Sequence, residues 1–279
     1  MKRIFDEVSI KCSRITTLTY STSFSLGIYF LDKKYHEPIY SIYGFVRFAD
    51  EVVDSFHEYD KKGLLEDFKS QTYVAIKQGI SLNPILNSFQ HAVKKYNIDH
   101  DLVETFLKSM ETDLSLTSHK EKSYKEYIAG SAEAVGLMCL KVFVEGDDKK
   151  YEELKEGAIK LGAAFQKINF LRDLKMDLEE LGRSYFPDVD LYNFTPSNKD
   201  TIEDEIAADL QRALIFIKKL PRGSRLGVYL AFAYFKTLFN KLRNVSSKEI
   251  MKKRIRVSNT KKIFLLADSY LKYNLNRIQ

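Results

Sequence analysis

The sequence is poor in the residues that build covalent or metal-stapled frameworks. Its 279 residues hold two cysteines, Cys12 and Cys139, far apart and without CxxC spacing. Neither a disulfide scaffold nor a thiolate metal cluster is available, and a reducing, cytoplasmic compartment is expected. Tryptophan is absent, and 12 Gly and 5 Pro are too few for a low-complexity or collagen-like chain. The longest apolar stretches, such as Gly227 to Phe235, fall far short of the roughly 20 residues that cross a bilayer, and no secretory leader precedes one. Any membrane contact is therefore expected to be peripheral.

Several chemical signatures are missing as well. There is no GxGxxG after a strand, no HExxH and no GxSxG. A P-loop is absent too: Gly157 and Gly162 have its spacing, but Ala163 follows. Dinucleotide folds, zincins, hydrolase elbows and P-loop NTPases thus lose their usual support. The five histidines are scattered, and His57 and His91 read as surface residues.

What is present is a globular composition: 44% hydrophobic, 29% charged, with 19 Phe and 17 Tyr. A chain of this length buries roughly 75% of its unfolded surface, and without a linker or repeat it reads as one domain over residues 1–279. The net charge of +6 suits an anionic substrate, a membrane surface or nucleic acid. The basic residues from Lys241 through Lys252, Lys253, Arg254 and Arg256 to Lys262 match no nucleic-acid module. They read as a solvated helix face, and no nucleic-acid partner is expected.

Apolar residues recur at three- and four-residue spacing, and two-residue alternation is scarce, which predicts an all-α protein. The expected helices include Ile39 to Phe56, with Pro38 in the first turn, and one opened by Asn83-Pro84. Others are Tyr124 to Val144, the long Tyr151 to Leu181, Thr201 to Leu220, and one from Gly223. Between them, Arg183 to Asp200 is the one extended irregular stretch, and a loop of that length is more often functional than idle.

Two helices carry acid on an otherwise apolar background. Tyr43, Arg47, Asp50 and Asp54 stand four, three and four residues apart and fall on one stripe, flanked by Ile42, Phe45, Val46, Val52 and Val53. One Asp pair at i, i+4 is commonplace. The second helix repeats the device, with Gln166, Asn169, Asp173 and Asp177 within about a quarter of its circumference and Arg172 beside them. Two such stripes are a rarer coincidence. Crowded carboxylates are relieved by a shared cation, and all-oxygen ligands suit Mg²⁺, with Mn²⁺ as a substitute; Mg²⁺ also bridges to phosphate oxygens. Ser21, Ser23, Arg47, Arg172, Arg183 and Tyr185 supply hydroxyl and guanidinium donors for the same anion. Together they predict a diphosphate site.

These residues resemble the squalene and phytoene synthase family of head-to-head prenyl transferases. The matching segments are STSF (21–24), IYGFVRFADEVVD (42–54), YKEYIAG with VGLM (124–130, 135–138), QKINFLRDLKMD (166–177), GRSYFP (182–187) and RIRVS (254–258). They occur in the family's order along nearly the whole chain. The resemblance implies an isoprenoid synthase fold, a central cavity and Mg²⁺ ions between two aspartate motifs. On the matching positions, Asp50, Asp54, Asn169, Asp173 and Asp177 would ligate metal. Ser21, Ser23, Arg47, Gln166 and Arg172 would meet the diphosphates, with Tyr43, Tyr124 and Tyr185 near the reacting centre. Tyr234 and Arg254 or Arg256 would help close the site.

The implied reaction couples two prenyl diphosphates through a cyclopropylcarbinyl diphosphate. SAEAVGLMCL (131–140) resembles the carotenoid branch, which favours geranylgeranyl diphosphate as substrate and 15-cis-phytoene as product. Downstream carotenoid enzymes would then be partners. A squalene or dehydrosqualene synthase using farnesyl diphosphate is the alternative, followed by a non-catalytic assembly factor. Three departures stand out: Glu51 in DEVVD where many relatives have Asp, Tyr20 before Ser21, and the longer spacing between Gly130 and Gly136.

Overall fold

The computed structural model describes residues 1–275 except 116, 117, 119, 180, 181 and 188. Among the described residues every regular element is helical, and the only extended pairing is an isolated bridge between Ser118 and Ser184. In chain order the helices are α1 (Lys2–Tyr20), α2 (Thr22–Tyr29), α3 (Lys33–Ser55), α4 (Lys61–Gln78), α5 (Pro84–Tyr96) and α6 (His100–Ser115). There follow α7 (Glu121–Ile128), a π turn (Ala129–Glu133), α8 (Ala134–Phe143) and α9 (Asp148–Glu179). The chain ends with α10 (Pro196–Ile217), α11 (Arg222–Arg243), α12 (Ser247–Ile250) and α13 (Asn259–Asn274).

Local chemistry explains where the elements begin and where the expected boundaries were wrong. Asn83 caps α5 by accepting from the Ile85 and Leu86 amides, with Pro84 at the first position. Helix α3 starts a turn earlier than expected, at Lys33, which places Pro38 inside it. Proline has no N–H for the carbonyl four residues back, and here the Tyr96 hydroxyl donates to that Lys34 carbonyl at 3.5 Å. Helix α10 also starts early, because Thr195 and Asn198 form a reciprocal cap around Pro196. The irregular stretch is correspondingly shorter and contains a single 3₁₀ turn, Leu191–Asn193. Leu181, the expected end of the long helix, lies outside the described residues.

The longer spacing between Gly130 and Gly136 becomes the π turn, which widens the helix to take an extra residue without breaking it. The basic C-terminal stretch is not one helix face. It is divided among the end of α11, α12 and an irregular segment before α13, and Arg254 is turned onto Asp173.

Two apolar clusters flank a shared interior. In one, Phe45 of α3 stacks on Phe89 of α5 at 3.9 Å and meets Phe106 of α6 at 5.3 Å. In the other, Phe165 of α9 stacks on Phe235 of α11 at 3.9 Å. Helix α9 packs on the π turn and α10 at places where side chains are missing. A Cβ on Gly162 would stand 2.6 Å from the Ala132 carbonyl oxygen, and one on Gly157 2.1 Å from the Phe216 Cβ. Gly157→Ala is therefore expected to cost about 1–3 kcal/mol of stability through overpacking. Urea denaturation checks this, and an unchanged midpoint would contradict so close an approach.

Candidate active site

A cavity of ≈ 320 Å³ lies between the two clusters. Its walls come from α2, α3, the π turn with α8, α9, α10 and α11. At one end Tyr43, Gln166 and Asn169 give it polar edges; at the other, Leu31, Phe143, Leu154, Phe216 and Leu220 close it with hydrocarbon. Just inside the polar end Phe24, Tyr43 and Phe165 line the cavity, with Phe24 6.1 Å from Tyr43 and 6.4 Å from Phe165, and Phe235 packs behind them, 5.9 Å from Phe24.

Each acidic set keeps to one face of its helix, and both stand at the polar end. In α3, Arg47 reaches forward one turn and forms ion pairs with both Asp50 and Glu51, its guanidinium lying 4.4 Å from the centre of the Tyr20 ring. In α9, Arg172 holds Asp173, donating from Nε to Oδ1 at 2.9 Å, and Arg254 approaches the same oxygen at 2.7 Å. Arg183 ties the two walls together. Its amide donates to the Asp177 carbonyl at 2.7 Å and its guanidinium to Asp54 Oδ1 at 2.8 Å. It also reaches the Tyr185 hydroxyl at 3.3 Å and the Asp113 carbonyl at 3.1 Å. In this arrangement Asp50, Asp54 and Asp173 each lie against an arginine.

The electrostatics show how tightly the acids are crowded. Burial, with Asp173 and then Asp54 nearby, pushes the Asp177 carboxyl up to about 7. Asp50, a third exposed at the rim, is pushed in the same direction by burial and by Asp54. Asp54 thus acts on a carboxyl of each wall. Burial, with Asp113 next, also keeps the Tyr185 hydroxyl protonated well above its ordinary range.

These donors fit divalent ions of a particular kind. Among the described residues no three His, Cys, Asp or Glu side chains converge as a ready cage. Mg²⁺ is usually bound by one or two carboxylates, several waters and the substrate's phosphates, and the paired carboxylates on facing walls offer that arrangement. Guanidinium groups already at the same mouth supply forked donors for the anion.

Other candidate residues fall nearer or farther. Ser21 caps α2, its Oγ accepting from the Phe24 amide at 3.1 Å, and it also acts on the Tyr43 hydroxyl. Ser23 lies half-buried in the first turn of α2. Tyr234 meets Phe235 edge-on at 5.4 Å and acts electrostatically on Arg172, which places it at the mouth. Tyr124 does not line the cavity. Its ring meets Phe186 at 6.0 Å, and its buried hydroxyl has no hydrogen-bond partner. Both Arg254 and Arg256 are exposed, but Arg254 is the one that pairs with an acid of the mouth, Asp173.

Sequence reasoning missed Asp113 and Tyr127. The Tyr127 hydroxyl donates to Asp113 Oδ2 at 2.6 Å, Oδ1 has no partner, and burial pushes this carboxyl up to about 7. Neither residue belongs to a spaced acidic stripe; only the fold brings them to Arg183.

The model of the squalene/phytoene synthase family matches residues 18–261. Phytoene synthase 1, chloroplastic, of Solanum lycopersicum is 23% identical over 96% of this chain and 69% of its own length. Its Arabidopsis thaliana counterpart is 24% identical over 96% and 67%. Among solved structures, a dehydrosqualene synthase in complex with ligand superposes with a TM-score of 0.82 at 20% identity, covering 97% of this chain and 98% of the other. Squalene synthase HpnC from Alicyclobacillus acidocaldarius gives 0.74 at 18% identity, covering 90% and 97%. The fold is that of these isoprenoid synthases.

Proposed function

Because the chain belongs to the squalene/phytoene synthase family of head-to-head prenyl transferases, we propose that it condenses two geranylgeranyl diphosphates to 15-cis-phytoene. Both diphosphates are lost. Asp50 and Asp54 on one wall, and Asn169, Asp173 and Asp177 on the other, would hold Mg²⁺ or Mn²⁺. When bound, the ions neutralise the diphosphate and make it a better leaving group.

The remaining work falls to the chain itself. Arg47, Arg172, Arg183 and Arg254 orient diphosphate oxygens, each moving from a carboxylate to an anion of the same sign and higher charge. As the first diphosphate departs, positive charge spreads over the allylic carbons just inside the mouth. Phe24, Tyr43 and Phe165, which line the cavity there, offer aromatic rings to that charge. The second substrate's double bond attacks the cation, and loss of a proton from the resulting carbocation closes the ring of the cyclopropylcarbinyl diphosphate; a second ionisation, rearrangement and loss of a second proton follow. Apolar walls exclude the water that would intercept these cations.

The choice of a twenty-carbon substrate rests on the length of the cavity. Lining residues run along α9 from Asn169 to Leu154, which at 1.5 Å per residue is about 22 Å. An extended carbon chain advances about 5 Å for each four bonds, by the geometry that gives a peptide about 3.6 Å for three. Four isoprene units thus need about 19 Å and three about 14 Å. The depth suits the longer chain, and the relatives named phytoene synthase agree with it. The farnesyl alternative is kept open by the dehydrosqualene synthase likeness. A non-catalytic role ranks below both, since the acids and their arginines are all in place.

The test is incubation of purified protein with Mg²⁺ and each diphosphate, with and without NADPH, followed by mass analysis of extracted hydrocarbon. A forty-carbon product without NADPH is the expected result. A thirty-carbon product would move the protein to the farnesyl branch, and no product from either substrate would favour the assembly-factor role.

A further inference from the structure

Helix α13 is apolar on two sides and covered on only one. Toward α11, Leu265 joins the buried cluster, Ser269 is fully buried, and the Tyr273 hydroxyl donates to the Arg222 carbonyl at 3.1 Å. On the opposite side Ile263, Phe264, Ala267, Tyr270 and Leu271 fall within about 120° of helix circumference at 3.6 residues per turn. Ile263 and Phe264 keep 69% and 68% of their surface exposed. A contiguous exposed apolar stripe of this kind marks a surface for protein or lipid.

The charge around this stripe narrows the choice of cover. Residues 248–275 contain eight Lys or Arg and two Asp or Glu, a net +6, and with Arg254 set aside on Asp173 a surplus of five positive charges remains. A second exposed apolar row, Ile4, Val8, Ile15 and Leu18 on α1, is interrupted by Lys11 and lacks this surplus. The position of α13 matters too. Its N-terminal end is pinned beside the mouth, where Lys262 donates to Thr22 Oγ1 at 3.0 Å and sits 5.5 Å from the Tyr234 ring. Its other end reaches the start of α11. It therefore straps the outside of α11, whose inner face meets α2 at Gly27 and Gly227 to form one wall of the cavity.

We propose that the outer face of α13 is a docking surface for an anionic lipid bilayer, with the apolar stripe in the acyl boundary and the basic residues at the headgroups. An apolar strip with a basic rim is the pattern of helices that lie in that interface. Docking would set the mouth and the α11 wall against the phase that supplies prenyl diphosphates and takes up hydrocarbon. That consequence rests on the proposed reaction. The docking itself does not, and its test needs no turnover.

The test is co-sedimentation of the full chain with vesicles of equal parts phosphatidylcholine and phosphatidylglycerol, against phosphatidylcholine alone, at low and high salt. The protein is expected to pellet with the anionic vesicles at low salt and to be released by salt. Phe264→Glu with Leu271→Glu should lower partitioning at least about tenfold. Lys252→Gln and Lys253→Gln should each lower it about fivefold. Circular dichroism melts serve as the folding control, and should the double variant melt early, Ile263→Gln carries the same test. Failure of the parent to pellet, or equal pelleting of the α13 variants, would overturn the proposal. So would an α13 variant that turns a dimer into a monomer in sedimentation velocity, because the stripe would then be covered by a second copy.

Discussion

Asp177→Asn is expected to lower turnover of prenyl diphosphate by about 10³-fold or more while leaving the melting temperature of the metal-free protein no lower than the parent's. The two effects separate because of where Asp177 sits. Burial and the neighbouring Asp173 and Asp54 disfavour its charged form, so a neutral amide of the same shape gives up nothing that holds the fold. In the proposed mechanism it does give up an anionic metal ligand. Asp173→Asn should lose turnover similarly but also lose stability. Its carboxylate pairs with Arg172 and Arg254, and removing it leaves the half-buried Arg172 charge unmatched, at a cost of about 3 kcal/mol. Steady-state rates with thermal melts of both variants check the pair. An active Asp177→Asn protein would sink the assignment of that residue as a ligand.

The second large effect is on the stability of the metal-free protein between pH 6 and 8. Asp113 and Asp177 have carboxyls raised to about 7 from an ordinary 3.8. The sign follows directly. A group raised in the folded state contributes stability that is complete below its unfolded value and lost as pH climbs through the folded one. The melting temperature should therefore fall from pH 6 to pH 8. Mg²⁺ with inorganic diphosphate should reverse the fall, by about 5 °C or more at a hundred times the dissociation constant. Mg²⁺ alone should do much less, since arginines already occupy Asp50, Asp54 and Asp173. A melting temperature that rises over this range, or an equal shift from the metal alone, would contradict the geometry.

Much of this site was legible in the sequence because helices are local. Asp50, Asp54, Asp173 and Asp177 share faces by spacing alone, and apolar neighbours said that those faces turn inward. The same holds for α5, whose Asn83-Pro84 cap is written in adjacent residues. The errors arose where a distant partner decides. Pro38 marks a helix start by local preference, but Tyr96 takes the hydrogen-bonding role at Lys34 and lets α3 begin earlier. Tyr124, matched by motif to the reacting centre, is carried outside the cavity on the turn before the π segment. Asp113 carries no motif signal, since its meaning comes from Arg183, seventy positions later. The basic C-terminal stretch looked like one solvated face because sequence does not show that Arg254 turns inward.

Helix α9 has a further consequence for how such a protein can change. Its 32 residues carry Asp173 and Asp177 near one end and, through Leu154 and Gly157, part of the cavity's closed end near the other. In the proposed reaction the separation between the ionising carbon and the floor is thus a fixed gauge, counted in residues of a single rod. Adding one residue within it would swing every carboxylate by about 100° and dismantle the mouth. Descendants with shorter or longer products must arise through the surrounding staves, by exchange of bulk on α2, α3, α10 or α11. The π turn before α8 already shows how a stave takes in an additional residue while the gauge stays unaltered.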